Sequence, residues 1–282
     1  MPNGLVIANE YPAIVPQGFI RYPDGRITSF GTASGLPGSA TGFWAQPVSI
    51  NDAGEVVGNS PDVALGSEVF IRSPAGAFQY SSLSQGAIYS TVVTGLNAGG
   101  AIVAYYNNGA IGNGFLWDGE GNPPNIDNFD FTTISLPGSV ATVPTGINAD
   151  GTVVGTYIYT KGGSSQDFVR YSDGTYETLS TPAGTTPGCA TGISLSGIVY
   201  NPPPPALTIN NRGSIVGCYT SASGVGSGFV RFEDGSLITL THLGSKQTIP
   251  TAINNSDVIT GSYSDGTGMV GFILEPEVSP SL

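Results

Sequence analysis

Charge is what this chain has least of. Lysine, arginine, aspartate and glutamate make up only 10% of its 282 residues, and eight basic against twenty acidic side chains leave a formal charge of −12. A surface so poor in cations cannot displace counterions from a phosphate backbone, so nucleic acid is not expected as a partner. The same field repels anionic membrane surfaces and weakly favours cationic ligands, although an excess of surface acid also serves solubility alone. Long apolar runs are missing too: no stretch of about eighteen residues would cross a membrane. The opening Met1-Pro2-Asn3-Gly4 lacks the charged and apolar regions of a signal peptide. A lysine-poor texture rich in Ser, Thr, Asn and Gly is nevertheless that of an exported bacterial protein, and an extracellular or periplasmic location is expected.

Histidine and cysteine are almost absent. His242 is the sole histidine. Metal sites built on histidine clusters are excluded by count, and one base remains around which a Ser-His-Asp triad could form. Its Leu-Thr-His-Leu setting points to the outside of the fold. No Asp-x-Asp-x-Asp-Gly loop is present, and Asp127-Asn-Phe-Asp130 is too short to hold calcium. No metal and no cofactor is therefore expected. Cys189 and Cys218 are either two buried thiols or one disulfide, which would close a loop of about 30 residues around Pro202 to Pro205.

What the chain does have is glycine, 42 residues of it, and a repeat. The clearest copy runs from Thr145 to Tyr157 (Thr-Gly-Ile-Asn-Ala-Asp-Gly-Thr-Val-Val-Gly-Thr-Tyr) and resumes at Asp167 through Leu179. The phrase returns at 209–219 with 228–240 and at 50–58 with 69–83. Weaker copies lie at 96–106 with 114–121, at 253–263 with 270–276, and at 4–11 with 18–30. Taking Gly4, Gly54, Gly100, Gly151, Gly213 and Asp257 as equivalent gives intervals of 50, 46, 51, 62 and 44 residues. Such a period fits a propeller blade.

Each piece has a local reason. Asn51, Asn148 and Asn210 with Gly54, Gly151 and Gly213 three residues on are turn formers. Val-Val-Gly-Thr-Tyr is β-branched and compact, with a glycine where neighbouring backbone comes close. Phe19, Phe70, Phe115, Phe168, Phe229 and Phe272 hold one position in every copy, and Asp24-Gly25, Asp173-Gly174 and Asp234-Gly235 mark hairpins. The fold expected is all-β: one propeller domain over 1–282 of about six blades, with five as runner-up. The valine strands are expected near the axis and the ring closed by pairing of the two termini, which removes exposed sheet edges. These phrases resemble the bacterial extracellular repeat known as the HAF family. The resemblance covers most of the chain and implies a secreted or surface-associated propeller, without a shared catalytic motif.

Function must then come from departures from the repeat. Propellers present ligands at a channel mouth, where Trp117, Tyr106, Tyr157, Tyr219 and Tyr263 could stack on sugar faces; Trp44, Tyr105 and Tyr159 are further aromatics, and tyrosines also finish cores. Glu10 stands at the tyrosine position of the first copy unless Tyr11 takes that role, and Ser60 stands there in the second. Asp167 replaces a recurrent glycine, either as a functional acid or as a turn cap. Glu10, Asp62, Asp118 and Asp167 are the carboxylates from which a glycan hydrolase or lyase would draw its acid and base. Arg21, Arg72, Arg170 and Arg231 repeat too regularly for a site and suit the scaffold. The insertion at about 188–207, with its four prolines, is expected to overhang the mouth beside Trp117, tied down by Cys189 and Cys218. The reading is a monomeric ligand-binding propeller for a glycan or small polar molecule, with the enzyme as alternative.

Overall fold

The computed structural model describes residues 6–10, 17–30, 45–62, 66–81, 90–107, 112–118, 131–160, 163–188 and 207–276. Trp44, Cys189 and most of the proline-rich insertion lie outside them. The chain divides into two compact units, residues 1–135 and 136–282. Among the described residues every element is a strand, and the arrangement is that of a β-propeller.

In the first unit β1 (Val6–Glu10), β2 (Gln17–Arg21) and β3 (Ile27–Phe30) form the first sheet. The second is β4 (Gln46–Ile50), β5 (Val56–Asp62), β6 (Gly66–Arg72) and β7 (Phe78–Ser81). The third is β8 (Ser90–Leu96), β9 (Ile102–Asn107), β10 (Gly112–Trp117) and β11 (Thr132–Ile134). In the second unit β12 (Ala141–Ile147), β13 (Val153–Ile158), β14 (Gln166–Arg170) and β15 (Tyr176–Leu179) make the fourth sheet. The fifth holds β16 (Thr185–Pro187), β17 (Thr208–Ile209), β18 (Ile215–Ser221), β19 (Gly226–Arg231) and β20 (Leu237–Leu240). The sixth is β21 (Thr248–Ile253), β22 (Ile259–Ser264) and β23 (Met269–Leu274).

Each repeated phrase thus became one sheet, but not always a whole blade. Ala8 pairs with Phe19 as Gly155 pairs with Phe168, so the first sheet starts at the second strand of the repeat. The sixth sheet has the first three strands and no fourth. Among the described residues there are four sheets of four or more strands and two three-stranded ones, and the propeller has five blades, the runner-up of the sequence reading, rather than six. The expected pairing of the termini lies with residues outside the described ones: β1 pairs with β2, and β23 with β22.

The Val-Val-Gly strand is not at a sheet edge, as a place next to the axis would require. In the fourth sheet it is β13, with β12 on one side and β14 on the other. That double coverage explains its glycine. A Cβ on Gly155 would lie 2.3 Å from the Val143 carbonyl oxygen and 2.8 Å from the Phe168 ring. Facing it, the first strand bulges at Pro144/Gly146, and the same irregularity recurs at Pro47/Ser49, Val93/Gly95 and Pro250/Ala252. Bulges accept proline because no ladder hydrogen bond is lost there.

The turn asparagine does more than shape its turn. Asn148 Oδ1 accepts from the amides of Asp150 and Thr152, while its Nδ2 donates to the Asn210 carbonyl of the next sheet at 3.3 Å. Asn210 repeats the pattern toward Asn254 at 2.9 Å, and Asn51 toward Asn97 at 3.4 Å. In these three repeats one side chain therefore clips neighbouring sheets together.

Arginine belongs to the same scaffold. Arg231 on β19 forms a 2.8 Å ion pair with Glu177 on β15, and the Arg72 guanidinium stands 5.3 Å from the centre of the Phe30 ring. Asp257, which replaces the turn glycine, adopts a left-handed φ of 58° and pairs with Arg212 at 2.7 Å. Burial lifts its carboxyl and the Arg212 and Asn210 contacts lower it, leaving it below the usual carboxylate range.

Candidate functional site

Tyr106, Tyr157, Tyr219 and Tyr263 do share one place: they pair with Asn113, Gln166, Ser227 and Val270 on the third strand of their sheets. Trp117 does not join them. It pairs with Ile102, four residues along β10 from Asn113. At roughly 3.3 Å per residue that is about 13 Å, the opposite end of the sheet. A single mouth lined by Trp117 and the tyrosines is thereby corrected.

Nor are the tyrosine faces open. Tyr157 is only 2% exposed, and its hydroxyl donates to Gln166 Oε1 at 2.6 Å and meets Thr178 Oγ1 at 2.9 Å. Tyr219 is buried, with its hydroxyl 2.8 Å from Thr239 Oγ1. Both rings run outward to the fourth strand and serve the core. Tyr106 packs against Phe115, and the half-buried Tyr263 stacks on His242 with ring centres 3.8 Å apart. Tyr159, just beyond β13, is the most exposed tyrosine among the described residues. It is 48% exposed and stands edge-on to Tyr157 at 5.1 Å and 86°. Exposed Ser164 and Gln166 follow it in the hairpin that leads into β14.

Among the carboxylates, Glu10 pairs with Gln17 as Tyr157 pairs with Gln166. It holds the tyrosine position, and the reading that gave this place to Tyr11 is corrected. Asp62 ends β5 opposite Gly66, and the side chains of Glu10 and Asp62 lie outside the described residues. Asp118 follows β10 and is exposed.

Asp167 is different. It sits inside β14, between Thr156 on β13 and Leu179 on β15, and is 2% exposed. It makes no hydrogen bond or ion pair among the described residues, so the turn-cap reading fails. Cross-strand partners share a face, and Leu179 and Val169 pack with Leu207, Ile215, Tyr219 and Phe229 of the fifth sheet. Asp167 therefore faces the seam between the fourth and fifth sheets. Burial pushes its carboxyl up to about 7. Thr156 Oγ1, on the same face one strand away, is buried without a partner. Sequence reasoning passed over Thr156, because threonine on a strand carries no signal until its neighbour is known. No group of three metal-ligating His, Cys, Asp or Glu side chains occurs among the described residues.

The insertion is bracketed by two short strands of the fifth sheet, β16 and β17. In the fifth sheet β16 pairs with Tyr219–Ser221 and β17 with Ile215 and Val216, so the first strand is split and the chain between them leaves and rejoins one edge of β18. The Gly188 amide donates to the Cys218 carbonyl at 2.8 Å, and Thr220 Oγ1 donates to the Gly188 carbonyl at 2.9 Å. Cys218 is disulfide-bonded, and Cys189 is the one other cysteine of the chain. Cys218 lies on the second strand of its sheet, not on an edge. The expected overhang beside Trp117 concerns residues outside the described ones.

No family model and no curated protein matches the sequence. Solved structures do match in fold. TolB from Acinetobacter baumannii superposes with a TM-score of 0.53 at 12% identity, over 96% of this chain and 63% of that one. An S511A mutant of puromycin hydrolase, complexed with PGG, gives 0.58 at 13% identity, over 96% of this chain and 42% of that one. A prolyl endopeptidase gives 0.51 at 11% identity, over 92% and 37%. The chain thus spans less than two thirds of each, and at such identity the likeness extends to the propeller fold and no further. No helix among the described residues is long and apolar enough to cross a membrane.

Proposed function

We propose that this chain is an exported ligand-binding propeller that receives a glycan, or a similarly polar neutral molecule, against the ring of Tyr159. The observation that carries this reading is the pairing of an exposed aromatic face with a locked support. Tyr157 is fixed by two hydroxyl contacts and holds Tyr159 edge-on, so the outer ring offers a flat apolar surface with little entropy left to lose. Exposed Ser164 and Gln166 are polar positions a few residues further along the chain, and the scarcity of charge over the chain suits a neutral ligand. The disulfide at Cys218 supports an oxidising compartment, as does the resemblance to the HAF repeat.

Hydrolysis by paired carboxylates is the weaker reading. It needs two acids about 5 to 9.5 Å apart. Among the described residues of the second unit Asp167 is the one buried carboxylate, and Glu177, two residues from Leu179 on β15, is held by Arg231. A broad glycan array followed by calorimetry on the best ligand tests the proposal. Tyr159→Ala is expected to weaken binding at least about tenfold, near 1.4 kcal/mol, with the unfolding midpoint unchanged. An array without hits, or a ligand bound equally by the variant, overturns it.

A further inference from the structure

We propose that the seam between the fourth and fifth sheets binds a small cation, with the Asp167 carboxylate and the Thr156 hydroxyl among its oxygen ligands. The proposal stands apart from the glycan reading.

The repeat itself supplies the comparison. The residue before the recurrent phenylalanine meets the first strand of the next sheet, four residues before that sheet's turn asparagine. At Gly18 a Cβ would lie 3.0 Å from Pro47, and at Gly228 it would lie 2.6 Å from Pro250. Between the second and third sheets the two positions are Val69 and Val93, packed in one cluster. Each of these seams is filled by an apolar pair of matched size. In the fourth sheet the position is Asp167. A carboxylate stands where the repeat elsewhere places hydrogen or a valine side chain.

The surroundings do not neutralise it. Val154, Val169, Leu179, Leu207, Ile215, Tyr219 and Phe229 build the seam around it. Among the described residues the charged groups on this face are Glu177, farther along β15, and Arg231 on β19, which are paired with each other at 2.8 Å. The Tyr157 hydroxyl is bound to Gln166 and Thr178. Buried carboxylates are normally paired or bound to a cation. Here the second unpartnered oxygen is Thr156 Oγ1, directly across from Asp167. Two hard oxygen donors suit calcium, an alkali ion or the ammonium of a ligand rather than a soft metal. The formal charge of −12 adds long-range attraction for any of them.

The test is thermal unfolding of the full chain at pH 8, where the carboxyl is ionised. Calcium chloride, potassium chloride and methylammonium chloride are each compared with choline chloride at equal ionic strength. One of the three is expected to raise the midpoint by about 5 °C at a hundredfold excess over its Kd. Asp167→Asn, which removes a buried charge and keeps the shape, abolishes the shift. Thr156→Val weakens the apparent affinity about tenfold. A response to calcium or potassium assigns a metal ion, and one to methylammonium alone assigns a ligand ammonium. If none of them moves the wild-type midpoint relative to choline, or if the shift survives in Asp167→Asn, the site does not exist.

Discussion

The seam between the fifth and sixth sheets and the seam between the fourth and fifth are built on the same backbone phrase and filled in opposite ways. In the former, Gly228 accepts the Pro250 ring, and Val216, Val230 and Ile259 close the contact. In the latter the apolar cluster is larger, yet it encloses Asp167 and the unpartnered Thr156 hydroxyl. Both seams keep the asparagine clip and one ion pair, Arg212 with Asp257 in one and Arg231 with Glu177 in the other. The lesson is that hydrogen bonds and ion pairs repeat because they hold sheets in register, whereas the side chains that fill the gap are free to diverge. A buried carboxylate is the unusual filling: among the described residues Asp167 is the one buried acid.

Exchanging the fillings should break this comparison most visibly. Gly228→Asp forces a carboxylate into the space of the Pro250 ring, and overpacking with an unpaired buried charge is expected to cost roughly 4 kcal/mol or more. Urea unfolding measures it, and a wild-type midpoint would make the two seams interchangeable. The reverse change, Asp167→Asn, acts through pH. The folded carboxyl keeps its proton up to about 7, whereas the unfolded chain releases it near 3.8. Its contribution is therefore full below about pH 4, falls as pH rises through that window and is level above about 7. Wild type and Asp167→Asn should have similar stabilities at pH 4, and the variant should lead by up to roughly 4 kcal/mol at pH 8 without added cation. Parallel pH profiles for the two proteins would show that the carboxyl is not buried in the seam. The smallest effect sharpens what the seams share. Asn210→Ala removes its own turn contacts and the bridge to Asn254, at about 2 kcal/mol. Asn254→Ala, which among the described residues removes turn contacts alone, should cost less.

Much of the fold was legible because it depends on local chemistry. The turn at Asn148, the hairpin at Asp173-Gly174 and the glycine of the valine strand each answer to a backbone constraint that one residue type satisfies, and each is found where the spacing places it. The candidate site was legible only in part. Asp167 stood out as a break in a repeated glycine, but its burial did not, because a carboxylate on a strand reads as solvent-facing until the neighbouring sheet is known. The tyrosines stayed open between ligand stacking and core filling for the same reason. Tyr157 and Tyr159 lie two residues apart, one buried and bonded to Thr178, the other open. Nothing in their spacing tells which.

The sequence by itself determined that this chain builds strands in repeated groups, where each group turns, and which glycines and asparagines the turns need, because those choices are made within a dozen residues. Only the tertiary structure decided which strand lies inside each sheet, which tyrosines face the core, and that one seam encloses a carboxylate. Those outcomes depend on residues some fifty positions apart, brought together by sheet packing whose energy is spread over many apolar contacts, so no single segment carries them.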